Sequence, residues 1–166
     1  MDFNFSATSV YVVFGGSLIG ERYIDIGISG LLAEFCQKFS VDIQGAKDLL
    51  RQYEEGVLEE NISLRICGII NNFSAVWLQA LEAVFSDFSG VKTFSSDIFL
   101  TGEGFDIPDL QDSIKTGNWY KSVPFKDSLN FIFPNLPPNI VDLGGASSKL
   151  EWILPISLGS IYFKMQ

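Results

Sequence analysis

The sequence predicts an α/β domain, a mixed sheet begun by residues 2–26 and flanked by helices. Three observations carry this. The chain opens with strand-like segments joined by tight turns, and it continues through three stretches of helical periodicity. It then returns to a short apolar strand that runs through a glycine-rich turn into a helix. A sheet covered by helices is the arrangement that buries both kinds of apolar face.

Taken in order, Asp2-Phe3-Asn4-Phe5-Ser6-Ala7-Thr8 reads as a strand end followed by a tight turn. Ser9-Val10-Tyr11-Val12-Val13-Phe14 is an apolar strand, Gly15-Gly16 a hairpin turn, and Ser17 to Gly27 the returning strand. Ser29 is placed to cap a first helix that carries Leu31, Leu32, Phe35 and Phe39 on one face. Asp42 is placed to cap a second, with Ala46, Leu49, Leu50 and Tyr53 inward and Gly56 ending it. From Leu58 to Phe88 apolar residues recur at three- and four-residue steps, with no charge between Arg65 and Glu82. So apolar a helix belongs to the core, or to the core and an interface together.

The stretch from Ile98 to Leu110 holds Leu100-Thr101-Gly102-Glu103-Gly104 and then Pro108, which opens a helix that continues from Asp109 to Lys115. Proline suits the first helical turn because its missing N–H is unpaired there in any case. Glycines at such a turn let backbone approach a ligand closely, and a helix start offers free N–H donors to anions. Beyond it, Tyr120 to Phe125 reads as a strand, and Asn130 to Ser148, rich in Pro, Asn and Gly, as an irregular surface loop.

Composition narrows the function. With 166 residues the chain is predicted to be one domain, large enough to bury roughly 70% of its unfolded surface. Hydrophobic residues make up 47% and charged ones 19%, with fifteen Phe, so the core is aromatic. A net charge of −9 argues against nucleic acid and against an anionic membrane surface, both of which need clustered Lys and Arg. The absence of histidine removes Ser-His-Asp and Cys-His catalysis and the commonest metal ligand. Cys36 and Cys67 lie in apolar contexts and read as buried thiols of a reducing compartment. Met1 is followed by Asp2 rather than a basic segment, and no apolar run reaches the ~18 residues of a membrane span. A soluble, cytoplasmic protein without direct membrane insertion is expected.

Two of these stretches together resemble a known family. Asp2 to Thr8 is similar to the Asp-x-Gly-x-x-x-Thr phosphate loop that opens the second lobe of actin-like ATPases. Leu100 to Leu110 is similar to their Leu-Thr-Gly-Gly-Gly-x-x-Ile-Pro-Gly-Leu adenosine loop. The motifs stand in family order, and the resemblance is nearest to the branch holding the type IV pilus assembly protein PilM and the cell-division protein FtsA. It implies an actin-like ATPase (ribonuclease H-like) second lobe, with the first strand and the whole first lobe missing. It makes Asp2, Asn4, Thr8, Gly102, Glu103 and Gly104 the nucleotide-loop positions, and it implies ATP and Mg²⁺ as ligands of an intact two-lobe parent. Pro155 to Phe163 resembles the family's terminal helix, and Val123-Pro124-Phe125 a Pro-Phe of the pilus-assembly relatives.

The departures matter as much as the matches. Asn4 stands where the phosphate loop has glycine, and tolerates positive φ better than most residues. Glu103 puts a bulky anion where the adenosine loop has its middle glycine. Ala46-Lys47-Asp48-Leu49-Leu50 replaces an Ala-Glu-x-x-Lys whose polar groups hold ribose and base. With four contacts altered and one lobe absent, this chain alone is expected to be a scaffold that binds no cofactor, with no catalytic residues and no metal. The function implied is a PilM-like component of type IV pilus or related assembly machinery, held at the inner face of the membrane through protein partners. An FtsA-like division protein, one lobe of an active ATPase or sugar-kinase-like enzyme, and a small domain with a partner of its own are the alternatives. Self-association, or pairing with a missing first lobe, is expected from an unpaired sheet edge at Val10 to Phe14.

Overall fold

The structure, a computed structural model, describes residues 1–134. Its elements are β1 (Asp2–Phe3), β2 (Thr8–Phe14), β3 (Ser17–Ile24), α1 (Ile28–Phe39), α2 (Ile43–Glu54), α3 (Glu60–Ser86), β4 (Asp97–Phe99), α4 (Pro108–Thr116) and β5 (Asn130–Ile132). β1, β2 and β3 form an antiparallel meander, and β4 pairs parallel with β5. A parallel bridge between Asp2 and Thr101 joins the two groups, so the strands lie in the order β3, β2, β1, β4, β5. The Phe3 N–H donates to the Thr101 carbonyl at 2.8 Å and the Thr101 N–H to the Met1 carbonyl at 2.9 Å. β1 is thus held on both sides, by β2 and by Thr101.

The hairpin between β2 and β3 turns through Gly15 and Gly16, both at positive φ (56° and 78°), the conformation that matches the twist of the flanking strands. One face of the sheet carries Phe3, Thr8, Val10 and Ile24 into the core. The core's centre is aromatic: Phe3 stacks on Trp77 of α3 at 4.6 Å and meets the edge of Phe105 at 5.7 Å. A second cluster places Phe85 against Phe94, Phe125 and Trp119 at centroid distances of 5.1–5.5 Å. The length of α3 follows from this burial: Ile66, Ile70, Phe73, Trp77, Leu81 and Phe85 recur at helical spacing along one stripe. Among the described residues no helix is long and apolar enough to cross a membrane.

Several expectations need correction. Ser29 is not the cap of α1: the helix begins at Ile28, Gly27 holds the cap position, and the cap carries no side-chain hydrogen bond. Its first N–H groups are taken by the preceding turn instead, Ile28 donating to the Asn4 carbonyl at 3.2 Å and Ser29 to that of Phe5 at 2.8 Å. Asp42 does cap α2, its Oδ1 accepting from the Gly45 N–H at 2.8 Å. Residues 120–125 are not a strand. Trp119–Ser122 is a 3₁₀ turn, stabilised where the Trp119 indole donates to the Ile114 carbonyl at 3.0 Å, and only Phe125 bridges, to Phe94. Asn130–Ile132 is β5 rather than loop. Cys36 and Cys67 are free thiols but half-buried rather than buried. Asn4 does not adopt positive φ; among non-glycine described residues Ser40 alone does. The expected terminal helix and residues 135–148 of the expected loop lie outside the described residues.

Candidate functional site

The six positions named from the loop resemblance converge because β1 pairs with both neighbours. Asp2 sits in β1, Asn4 begins the turn into β2, Thr8 opens β2, and Gly102, Glu103 and Gly104 follow β4. The turn closes with the Asn4 N–H donating to the Ala7 carbonyl at 3.0 Å. Gly27 presses against that turn; a Cβ there would lie 2.4 Å from the Phe5 carbonyl oxygen.

The polar groups at this junction are committed to one another. One oxygen of the Asp2 carboxylate accepts from the Thr101 hydroxyl at 2.9 Å and the other from the Asn4 amide at 2.5 Å. Thr8 is fully buried, its hydroxyl donating to the Ile26 carbonyl at 2.8 Å and accepting from the Trp77 indole N–H at 3.0 Å. The two glycines face Phe3. Gly102 has φ 99°, and a Cβ on it would stand 2.4 Å from the Phe3 carbonyl oxygen. A Cβ on Gly104 would stand 2.5 Å from the Phe3 ring. Close approach is what glycine supplies, and here the approaching atoms belong to the chain itself. Glu103 begins the 3₁₀ turn Glu103–Asp106, which leads into α4.

Across from these loops, Lys47 of α2 holds its ammonium 5.6 Å from the centroid of the Phe5 ring. Tyr53, also on α2, donates its hydroxyl to Asp109 of α4 at 3.1 Å. Burial first, and then the Asp109 carboxylate, push the Tyr53 phenol well above its ordinary range. This bridge ties α2 to the start of α4 on the side where the adenosine-like loop ends. Sequence reasoning missed it, as it missed Phe3, although Phe3 alternates with Asp2 along β1 and so had to face inward. Two cavities stand apart from all six positions. One of about 250 Å³ lies between Ile26, Gly30, Glu34 and Phe73, and one of about 410 Å³ lies between β2 and β4. Among the described residues, no three Cys, Asp or Glu side chains are grouped to hold a metal ion.

No family model and no curated protein sequence matches the chain. Solved structures do. A structure titled PilM-PilN type IV pilus biogenesis complex superposes with a TM-score of 0.63 at 16% identity, over 95% of this chain and 43% of that one. The ethanolamine utilization protein EutJ from Carboxydothermus hydrogenoformans superposes with a TM-score of 0.55 at 9% identity, over 93% of this chain and 46% of that one. The chain therefore spans less than half the length of either protein. Both have the actin-like ATPase fold. With β2 and β3 as adjacent antiparallel strands, β4 joined to them through β1, and the glycine turn leading into α4, the fold of this chain is that of an actin-like ATPase.

Proposed function

We propose that this chain is a PilM-like scaffold of type IV pilus or related assembly machinery, working at the cytoplasmic side of the membrane through protein partners and turning over no nucleotide by itself. The observation that carries the reading is the occupation of the nucleotide-loop positions by the chain's own atoms. The Asp2 carboxylate and the Thr8 hydroxyl are bonded internally, and Phe3 fills the space that Gly102 and Gly104 leave open. These residues do not fit a Mg²⁺-bound triphosphate, whose oxygens need free backbone donors and a carboxylate free to orient metal-bound water. Likeness to a protein solved together with PilN supports a docking role in preference to a catalytic one.

Calorimetric titration with Mg-ATP tests the nucleotide half of this reading: no saturable heat is expected, and micromolar binding would overturn it. Co-expression with PilN-type and other pilus-assembly proteins tests the docking half. A stable complex is the expected result, and failure of every such pair removes the pilus assignment.

A further inference from the structure

Where β3 hands over to α1, a groove of about 250 Å³ lies between that connection, α1 and α3. Its apolar part is made by Ile26, the buried ring of Phe73, and Val76, which is 59% exposed. Its polar part is Asp25, Ser29 and Glu34. Among the described residues, neither carboxylate has a hydrogen bond or an ion pair, and the Ser29 hydroxyl has no partner. The volume falls below the roughly 300–1,000 Å³ of sites for drug-sized ligands, so the groove suits a single side chain and not a nucleotide.

The charge of its occupant follows from which groups are already used. The first N–H groups of α1 are engaged: Ile28 donates to the Asn4 carbonyl at 3.2 Å, Ser29 to that of Phe5 at 2.8 Å and Gly30 to that of Gly27 at 3.0 Å. The helix start therefore offers no donors to an anion, while two carboxylates wait for a cation. Gly30 adds an independent sign. Glycine is the poorest helix former after proline, yet it stands in the first turn of α1 without positive φ, and a Cβ there would meet only the Phe73 ring, at 3.4 Å. Folding gives no reason for glycine at this position; its effect is to keep the groove open beside Phe73. Apart from Lys149 and Lys164, which lie outside the described residues, no Lys or Arg of the chain pairs with Asp25 or Glu34. β1 runs toward this end of the sheet, so backbone ahead of Met1 lies in the other direction.

We propose that this groove receives one arginine side chain of a partner protein, its guanidinium held by Asp25, Glu34 and the Ser29 hydroxyl and its aliphatic stem laid along Ile26, Phe73 and Val76. A guanidinium carries five N–H donors in a planar fork and serves two carboxylates and a hydroxyl at once, where an ammonium has three donors and holds its water more tightly. The apolar floor suits the stem, which buries while the charged head stays at the rim. A net charge of −9 favours the approach of a cationic surface. The groove is separate from the nucleotide-loop positions, so the inference goes beyond the docking role proposed above and holds whether or not the partner is a pilus component.

The probe is a capped pentapeptide with one arginine between glycines, titrated into the full chain and followed by NMR. Saturable shifts are expected at the amides of Gly27, Ser29 and Gly30. Asp25→Asn with Glu34→Gln should weaken binding about tenfold, the ~1.4 kcal/mol of two partly exposed charge pairs. Asp112→Asn with Asp127→Asn removes the same charge elsewhere and should leave affinity within about twofold at physiological salt. Gly30→Leu fills the groove with a better helix former; it should abolish binding while the melting temperature holds or rises. Copies of the peptide with lysine, or with neutral citrulline, in place of arginine should bind more weakly. The site is overturned by absence of saturable binding, by equal binding of either copy, by equal loss in the two double variants, or by a Gly30→Leu chain that still binds. Tighter binding after Lys149→Ala with Lys164→Ala would give the groove to the chain's own lysines and overturn the assignment to a partner.

Discussion

Gly104→Ala is the substitution that best separates an internal from a ligand-binding role for the glycine turn. The added methyl would stand 2.5 Å from two ring atoms of Phe3 and 2.9 Å from a third, nearer than van der Waals contact permits. Phe3 cannot step aside easily, because its ring stacks on Trp77, meets the edge of Phe105 and lies 6.4 Å from Phe73. Overpacking of this kind costs about 1–3 kcal/mol, and a fully buried neighbour held by three rings places Gly104→Ala in the upper half of that span. For a domain of this size each kcal/mol moves the melting temperature by roughly 2–4 °C, so a fall of roughly 4–12 °C is expected.

Phe3→Leu by itself should cost about 1–2 kcal/mol through a smaller side chain and lost ring contacts. Together the two substitutions should cost less than their sum by at least about 0.5 kcal/mol, because leucine leaves room for the methyl. Urea unfolding followed by tryptophan fluorescence gives all three values, with Trp77 and Trp119 buried in the core as reporters. An alanine at 104 that leaves stability within about 0.5 kcal/mol of the parent, or a double substitution that is strictly additive, would refute the assignment of this glycine to Phe3.

Thr8→Val should destabilise by about 2–4 kcal/mol in the same urea assay, since it strands the buried Trp77 indole N–H and the Ile26 carbonyl at roughly 1–3 kcal/mol for each unpaired group; Thr8→Ser, which keeps the hydroxyl, should recover most of the loss. Tyr53 has its phenol raised above the ordinary 10.0 by burial and by Asp109, so the folded state holds a proton that the unfolded chain releases. Stability should therefore be full below pH 10 and decline as pH rises past it, and Tyr53→Phe should flatten that decline in thermal melts taken across the alkaline range. Arg22→Ala breaks an ion pair of 2.7 Å to Asp87, but the two side chains are 36% and 71% exposed, and the change in melting should correspond to less than about 1 kcal/mol even with the Phe88 contact counted.

The parts of the fold that were legible in the sequence are those whose signal is local and repeated. The β2–β3 hairpin carries two adjacent glycines at positive φ between apolar runs, and α3 repeats its apolar stripe over 27 residues. Asp42 caps α2 within three residues of itself. The start of α1 was not legible, because its first N–H groups are satisfied by carbonyls of Asn4 and Phe5, more than twenty residues earlier. β5 escaped for a related reason. Three residues show no period, and Asn130–Ile132 is a strand only because β4 lies alongside it. Residues 120–125 alternate like a strand, yet Trp119 turns back to the Ile114 carbonyl and tightens the chain into a 3₁₀ turn. Of the candidate site, the six positions could be named from their motifs. The bonds that engage them could not, since Trp77, Thr101 and Phe3 reach them only through the tertiary fold.

The meeting of the two loop motifs has a physical basis in the strand order. β1 lies between β2 and β4, so the turn after Phe3 and the turn after Leu100 must meet wherever this sheet forms. At that meeting point the chain needs a small residue beside Phe3 and a backbone that can pass it at positive φ, and Gly102 and Gly104 meet those needs. Asp2 is similarly required to receive Thr101 across the strand junction, and Thr8 to receive Trp77 from α3. These residues are thus held in place by folding alone, with no nucleotide invoked. Of the positions that depart from the family pattern, Lys47 is exposed and Leu50 packs only partly against the core, whereas Asn4, also exposed, still gives its amide to the Asp2 carboxylate.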